Sequence, residues 1–208
     1  MIKIGITGGI GSGKSVVSTL FELEGIPVYR ADDESKRLTD SSPVIRKKLT
    51  KLIDDSIFIG DKLDRKRLAA LIFNDEVLLK KVNGIIHPEV RDDFRLWVEK
   101  QTSNFIRSPD TVAKQNCALE SAILFESNFE QEVDVILMVY APIELRLKRV
   151  RLRDGTSEAE IMKRLNNQLP DDLKREKADF VIINDDIQPI IPQIEQFIRS
   201  LTVSENLK

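Results

Sequence analysis

Residues 8 to 15 read Gly8-Gly9-Ile10-Gly11-Ser12-Gly13-Lys14-Ser15 and fit the pattern G-x-x-x-x-G-K-[ST] at every fixed position. No other stretch limits the fold as strongly. Glycines let the backbone curl so that its N–H groups converge on an anion, and a helix beginning at the lysine adds its partial positive charge. Such a loop works only between a buried strand and a helix, and the flanks supply both. Ile2 to Thr7 is an apolar, β-branched run ending abruptly at Gly8, as expected of a strand covered on both faces of a parallel sheet. Between Lys14 and Glu24, Val17, Leu20 and Phe21 recur at helical spacing, and Gly25 stops the pattern. Ile26 to Tyr29 gives a short second strand. Strand, loop, helix and strand in about 30 residues make a βαβ unit with a right-handed crossover.

The middle of the chain changes period. Leu68, Leu71, Ile72, Leu78, Val82, Ile85, Ile86, Val90, Phe94, Trp97 and Val98 recur at helical spacing, with Pro88 expected to start a new helix. After a polar stretch around Ser103 to Asp110, the apolar runs Cys117 to Phe125 and Val133 to Tyr140 read as further sheet strands. Pro142 then marks a helix start, Phe180 to Ile183 is the last strand, and Ile190, Ile194, Phe197, Ile198 and Leu201 form the stripe of a closing helix. Ser204 to Lys208 is expected to fray. The expected architecture is a single α/β domain over residues 1–208, a three-layer core with a parallel sheet built from 1–60 and 111–208. A helical subdomain occupies about 61–110 and a mobile lid about 149–165.

Composition excludes several classes. The 208 residues carry 32 basic and 34 acidic side chains, a net charge of −2, which supplies no general field for nucleic acid or an anionic membrane. No apolar run approaches the roughly 18 residues that span a bilayer, and the glycines and Lys14 interrupt any signal-peptide core, so a cytoplasmic chain is expected. The single Cys117 has no disulfide partner and lacks the company of a thiolate metal site; it reads as a small buried apolar residue. The sequence carries no signal of oligomeric state.

The loop predicts nucleotide chemistry. The expected nucleotide-contacting residues run from Gly11 through Ser12, Gly13, Lys14 and Ser15 to Val16, with Lys14 reaching the β and γ phosphates and the Ser15 hydroxyl available to Mg²⁺. Guanine switching is disfavoured: none of the nine glycines has an Asp three residues before it, and no Asn is followed by Lys. A motor or remodelling ATPase needs a longer chain. What remains is a compact kinase moving the ATP γ-phosphoryl group to a small acceptor. Asp32, just after the second strand, suits three roles: accepting the acceptor's proton, helping to hold Mg²⁺, or capping a helix. Arg146, Arg149 and Arg153 share a helical face that is either a phosphate-covering lid or a solvated surface.

Over nearly its whole length the chain resembles the dephospho-coenzyme A kinase family. The resemblance includes Ile6 to Ser15, Leu63-Asp64-Arg65 followed by Leu68 and Ile72-Phe73, His87-Pro88, Leu124-Phe125-Glu126, Arg149 to Gly155, Gln168, Lys174, Ala178-Asp179 and Asn184. It implies a P-loop kinase that transfers the γ-phosphoryl of ATP, with Mg²⁺, to the 3′-hydroxyl of dephospho-CoA. By position it implies Asp32 as the base, Arg149 near ATP and Asn184 near the adenine, with Thr7, Asp32, Arg65 and His87 toward the acceptor. Arg65 suits a pyrophosphate or the stability of the helical subdomain, and His87, next to Pro88 at an expected helix junction, a structural or acceptor-contacting role rather than general catalysis. Three positions depart from the family pattern: Arg30 replaces the first Asp of Asp-Ala-Asp, Ala122 replaces a proline, and Asp186 replaces a glycine. Other readings are a different small-metabolite or nucleoside kinase and a nonenzymatic ATP-binding regulator.

Overall fold

A computed structural model describes residues 1–73, 75–107 and 115–205. In chain order the elements are β1 (Lys3–Thr7), α1 (Lys14–Leu23), β2 (Val28–Arg30), α2 (Ala31–Ser41), α3 (Pro43–Leu52), β3 (Phe58–Ile59), β4 (Lys62–Leu63), α4 (Arg65–Ile72) and α5 (Glu76–Arg107). They continue with β5 (Cys117–Glu120), β6 (Val135–Tyr140), α6 (Ile143–Asp154), α7 (Glu158–Asn166), α8 (Asp171–Lys177), β7 (Phe180–Ile183) and α9 (Ile190–Glu205). These divide into two compact units, Met1–Tyr29 with Val98–Lys208, and Arg30–Trp97.

The first unit is built on a five-stranded sheet in the order β2-β5-β1-β6-β7. β1 runs parallel to both β5 and β6, with Ile6 opposite Glu120 and Thr7 opposite Met138, and β6 runs parallel to β7. Alternation along β1 sends Ile4 and Ile6 to one face, where they join Val17 and Phe21 of α1 and Ile194, Phe197 and Leu201 of α9. Phe197 is the hinge of that layer, its ring 6.0 Å from Phe21 and 5.3 Å from Phe180. Each such side chain fully removed from water contributes about 1.5–3 kcal/mol of transfer free energy, so this layer fixes where α1 begins. Gly5 faces the other way, against Leu124 and Val133, and α8 packs on β6. A parallel sheet covered by helices is therefore the observed architecture.

The second unit is helical with one small hairpin. Pro43 opens α3 behind Ser42, whose hydroxyl accepts from the Ile45 N–H at 3.3 Å. Gly60, with φ +60, lies in the hairpin turn that pairs Phe58 with Leu63. Asp64 caps α4 through the Arg67 N–H at 3.0 Å, and Arg37 of α2 grips the Asp93 carboxylate of α5 with two 2.8 Å bonds.

Five features differ from the sequence expectation. The second unit begins at Arg30, taking in α2 and α3, rather than at about Asp61. Pro88 lies inside α5 instead of opening a new helix. A proline ring crowds the carbonyl four residues back, which belongs to Gly84; beyond the neighbouring residues and the helix's own backbone, no described heavy atom lies within 4 Å of where a Gly84 Cβ would be, so that side of the turn is open. β5 stops at Glu120, because Ser121 turns the chain: its hydroxyl accepts from the Ile123 N–H at 3.2 Å. Finally, α5 continues to Arg107 through what reads as a polar break, and α9 runs through Glu205 where fraying was expected from Ser204. Residues 108–110, the core restart at 111 and residues 206–208 lie outside the described residues. Among the described residues no helix is long and apolar enough to cross a membrane. Cys117 is buried, and burial pushes its thiol up to about 12, which suits the small apolar role expected of it.

His87, half-buried in mid-helix, has its pKa lowered from the usual 6.5, first by desolvation and second by the Arg91 charge. The unfolded chain thus binds a proton that the folded chain resists, so His87 makes stability fall as pH drops below 6.5. In urea unfolding, His87→Gln should flatten the loss of stability as pH falls below 6.5; an unchanged slope would show that burial there does not resist protonation.

Candidate active site

The loop after β1 emerges at the carboxyl ends of the strands, between β5 and β6, where open parallel sheets bind ligands. Lys14, almost wholly buried at the first turn of α1, donates from Nζ to the Gly8 carbonyl at 2.9 Å and the Gly9 carbonyl at 3.4 Å. Two glycines are required by space as well as by dihedral. A Cβ on Gly11, at φ +79, would lie 2.7 Å from the Arg146 carbonyl, and one on Gly13, at φ +98, would collide with Asn184 Nδ2. The buried hydroxyls of Thr7 and Ser12 have no hydrogen-bond partner among the described residues. A buried hydroxyl in that state calls for a partner, and these two stand at the end of β1 and in the loop itself. Val16 is about half exposed, and its N–H is spent on the Gly13 carbonyl at 3.0 Å.

The loop is held from outside at three backbone atoms. The Ile10 N–H donates to Gln168 Oε1 at 3.0 Å, while its carbonyl accepts from Arg146 Nε at 2.8 Å. The Ser12 carbonyl accepts from Asn184 Nδ2 at 2.7 Å. Behind these stands a buried polar network. Arg146, 3% exposed, pairs with Asp171 at the start of α8. Gln168 Nε2 and Lys174 Nζ both donate to the Ala122 carbonyl, at 3.3 and 2.9 Å. Lys174, fully buried, lies 3.3 Å from Glu126, which also accepts from the Leu169 N–H at 2.6 Å. Desolvation lowers the Lys174 pKa and the Glu126 charge opposes it.

Arg146, Arg149 and Arg153 of α6 therefore do not form one solvated face. Arg146 is buried against the loop, Arg153 pairs with Asp154 in solvent, and Arg149 reaches the turn after β7. There Arg149 Nη2 donates to Asn184 Oδ1 at 3.2 Å and to Asp186. Asp186 has φ +64, the left-handed conformation that favours glycine. Through Asn184 the loop backbone and Arg149 belong to one hydrogen-bonded chain.

Glu120 escaped the sequence reading. It ends β5 beside β1, and its Oε1 accepts from Ser15 Oγ at 3.3 Å. The signal was an acidic residue interrupting an apolar run, hidden because that run read as strand through Phe125. A hydroxyl and a carboxylate are hard oxygen donors. Among the described residues no group of three or more His, Cys, Asp or Glu could hold a metal. A pair of protein oxygens completed by phosphates and water is how Mg²⁺ is commonly bound, so the residues present fit that ion.

Asp32, Arg65 and His87 lie in the second unit. Asp32 is not a helix cap: that position is Arg30, without a side-chain cap bond, and Asp32 sits with Asp33 and Glu34 in the first turn of α2, where the helix dipole favours negative charge. Arg65 Nη2 donates to the Lys36 carbonyl at 2.8 Å, Thr39 Oγ1 at 3.2 Å and Asp40 Oδ2 at 2.8 Å, tying α4 to α2. The Arg65 hydrogen bond holds the Asp40 carboxyl below its usual range. His87 sits within one continuous helix rather than at a junction.

A family model described as dephospho-CoA kinase matches residues 2–189. A dephospho-CoA kinase from Bacteroides fragilis is 49% identical over 200 residues, covering 96% of this chain and 93% of the relative. Among solved structures, a crystal structure from Thermus thermophilus superposes with a TM-score of 0.76 at 33% identity, covering 98% of this chain and 97% of its own. A shikimate kinase from Acinetobacter baumannii in complex with shikimate has a TM-score of 0.52 at 20% identity, covering 100% and 96%, a likeness of fold.

Arg146→Ala would leave Asp171 unpaired and the Ile10 carbonyl without its donor. Breaking a buried pair of this kind should cost about 3 kcal/mol in urea unfolding, whereas Arg153→Ala, on an exposed pair, should stay within about 0.5 kcal/mol. Equal effects would mean that the buried clamp adds nothing to the fold.

Proposed function

The chain belongs to the dephospho-CoA kinase family, and from that premise we propose how its residues divide the transfer of the ATP γ-phosphoryl group to the 3′-hydroxyl of dephospho-CoA. The observation that carries the reading is the convergence of Lys14, Arg149 and the clamped backbone of residues 8–15 at one sheet edge. Phosphoryl transfer leaves little covalent chemistry to the protein: the nucleophile must be aligned, and charge on the transferring group must be offset by groups already in position. Lys14 does the second at the β and γ phosphates, and the loop N–H groups with the dipole of α1 hold the chain of phosphates. Arg149 adds a planar donor fork from the lid side. Ser15 Oγ and the Glu120 carboxylate would hold Mg²⁺, whose charge would offset that of the phosphate oxygens. Asp32 orients the acceptor hydroxyl and takes its proton. Arg65, engaged with Lys36, Thr39 and Asp40, preserves the acceptor unit, which we assign to the helical unit over 30–97.

The reading is tested by offering ATP and Mg²⁺ with dephospho-CoA, nucleosides, nucleoside monophosphates and shikimate, and measuring ADP and product mass. Only dephospho-CoA should turn over; equal turnover of a nucleoside monophosphate would sink the substrate assignment, and ATP binding without acceptor-dependent turnover would indicate a regulator. Lys14→Ala should lower kcat by about 10²-fold or more.

Asp32 and Glu120 separate by kinetics. Asp32→Asn keeps size and an acceptor oxygen but loses the charge, so kcat should fall at least ~10²-fold with nucleotide affinity held. Glu120→Gln should instead weaken Mg²⁺-dependent nucleotide binding and recover partly in excess Mg²⁺. Rescue of Asp32→Asn by Mg²⁺, with none for Glu120→Gln, would exchange the two roles.

A further inference from the structure

The turn after β7 carries an acidic residue where its own backbone favours glycine. Asp185 makes that turn: its Oδ1 accepts from the Ile187 N–H at 3.0 Å and the Gln188 N–H at 2.8 Å, and its Oδ2 from Gln188 Nε2 at 3.3 Å. These bonds hold position 186 at φ +64. A side chain there is tolerated at a conformational cost, and the one present is a carboxylate paired with Arg149.

Three observations describe that pair. It is easily parted, since the Asp186 side chain is 63% exposed and an exposed ion pair contributes little net free energy. It is incompletely satisfied: Nη2 is bonded to Asn184 and Asp186, while Nη1 is buried with no hydrogen-bond partner among the described residues. A guanidinium held in this way leaves a donor that two phosphate oxygens would satisfy. And its release would leave the loop intact, because Asn184 keeps its separate bond to the Ser12 carbonyl.

We propose that Asp186 is a latch: it holds Arg149 in the nucleotide-free enzyme and competes with the phosphates of ATP for the same guanidinium. The proposal rests on the reading that Arg149 contacts ATP. Nucleotide binding then exchanges one anionic partner of Arg149 for another, and part of the phosphate–arginine attraction is spent on opening the pair. Asp186 is thus a positioning residue that sets nucleotide affinity without touching the reacting atoms.

The test is the dissociation constant of a non-hydrolysable ATP analogue with Mg²⁺, measured by calorimetry on the full chain. Asp186→Asn keeps a residue that accepts the left-handed backbone and removes the charge; it should tighten binding about threefold, the size expected for an exposed pair. Asp186→Gly, free to adopt φ +64, should tighten it similarly. Arg149→Ala should weaken binding about tenfold, and adding Asp186→Asn to Arg149→Ala should bring little further change. Unchanged or weaker binding by Asp186→Asn would overturn the latch, as would equal tightening in both backgrounds, which is plain charge repulsion. Wild-type affinity in Arg149→Ala would instead overturn the assignment of Arg149 to ATP, a separate failure.

Discussion

A loop that turns its N–H groups toward an anion must be held by something other than itself. Residues 8–13 are rich in glycine, which loses more freedom on ordering than any other residue, and the curl leaves the outward carbonyls without regular partners. The Ile10 peptide is therefore the point on which the site depends: Gln168 takes its N–H and Arg146 its carbonyl. With Asn184 on the Ser12 carbonyl, the shape of the loop is set by side chains from α6, the α7–α8 connection and the end of β7. Electrostatic catalysis rewards this, since donors already in place need no reorganisation when charge develops.

Holding a backbone from beneath with charged side chains has an electrostatic cost. Arg146 is 3% exposed and Lys174 fully buried, and neither would tolerate burial unpaired. Asp171 and Glu126 supply the counter-charges, and backbone groups of Ile10, Ala122 and Leu169 absorb the remaining hydrogen-bonding capacity. A network of this kind contributes less to net stability than to uniqueness of arrangement, and here it keeps the turn after β5 against the connection between α7 and α8. Ala122, where the family pattern has a proline, takes part through its carbonyl, a group that both residue types possess.

The βαβ entry, the last strand and the closing helix were legible because each rests on a local period and a local stop: Gly8 after β1, Gly25 after α1, Pro142 before α6. The loop that carries Lys14 and Ser15 was legible for the same reason, being fixed by eight consecutive residues. What escaped depends on contacts distant in sequence. Nothing near Arg146 says that it meets Ile10, and three arginines at helical spacing looked alike until their partners separated them. Pro88 misled because a rule about isolated helices met a turn whose facing carbonyl belongs to Gly84. Glu120 was missed because an apolar run does not announce where its strand ends.

Strand register is the less visible constraint that gathers the site. Ile6 opposite Glu120 places that carboxylate level with the start of the loop, and the Ser121 N–H extends the ladder to the Ile6 carbonyl at 3.0 Å before the chain turns away. On the other side, the Asn184 N–H bonds the Tyr140 carbonyl at 2.8 Å, one step beyond the Tyr140–Ile183 pair, which brings its amide to Ser12. Successive side chains of a strand point to opposite faces, so a slip of one residue in β5 or β7 would turn Glu120 or Asn184 away from the loop while costing the core its alternate apolar residues. Ala118, Leu137, Val139 and Ile182 are all buried in the same layer as Ile4 and Ile6. The apolar packing that stabilises the sheet is therefore also what delivers the polar residues at its edge, and neither can shift without the other.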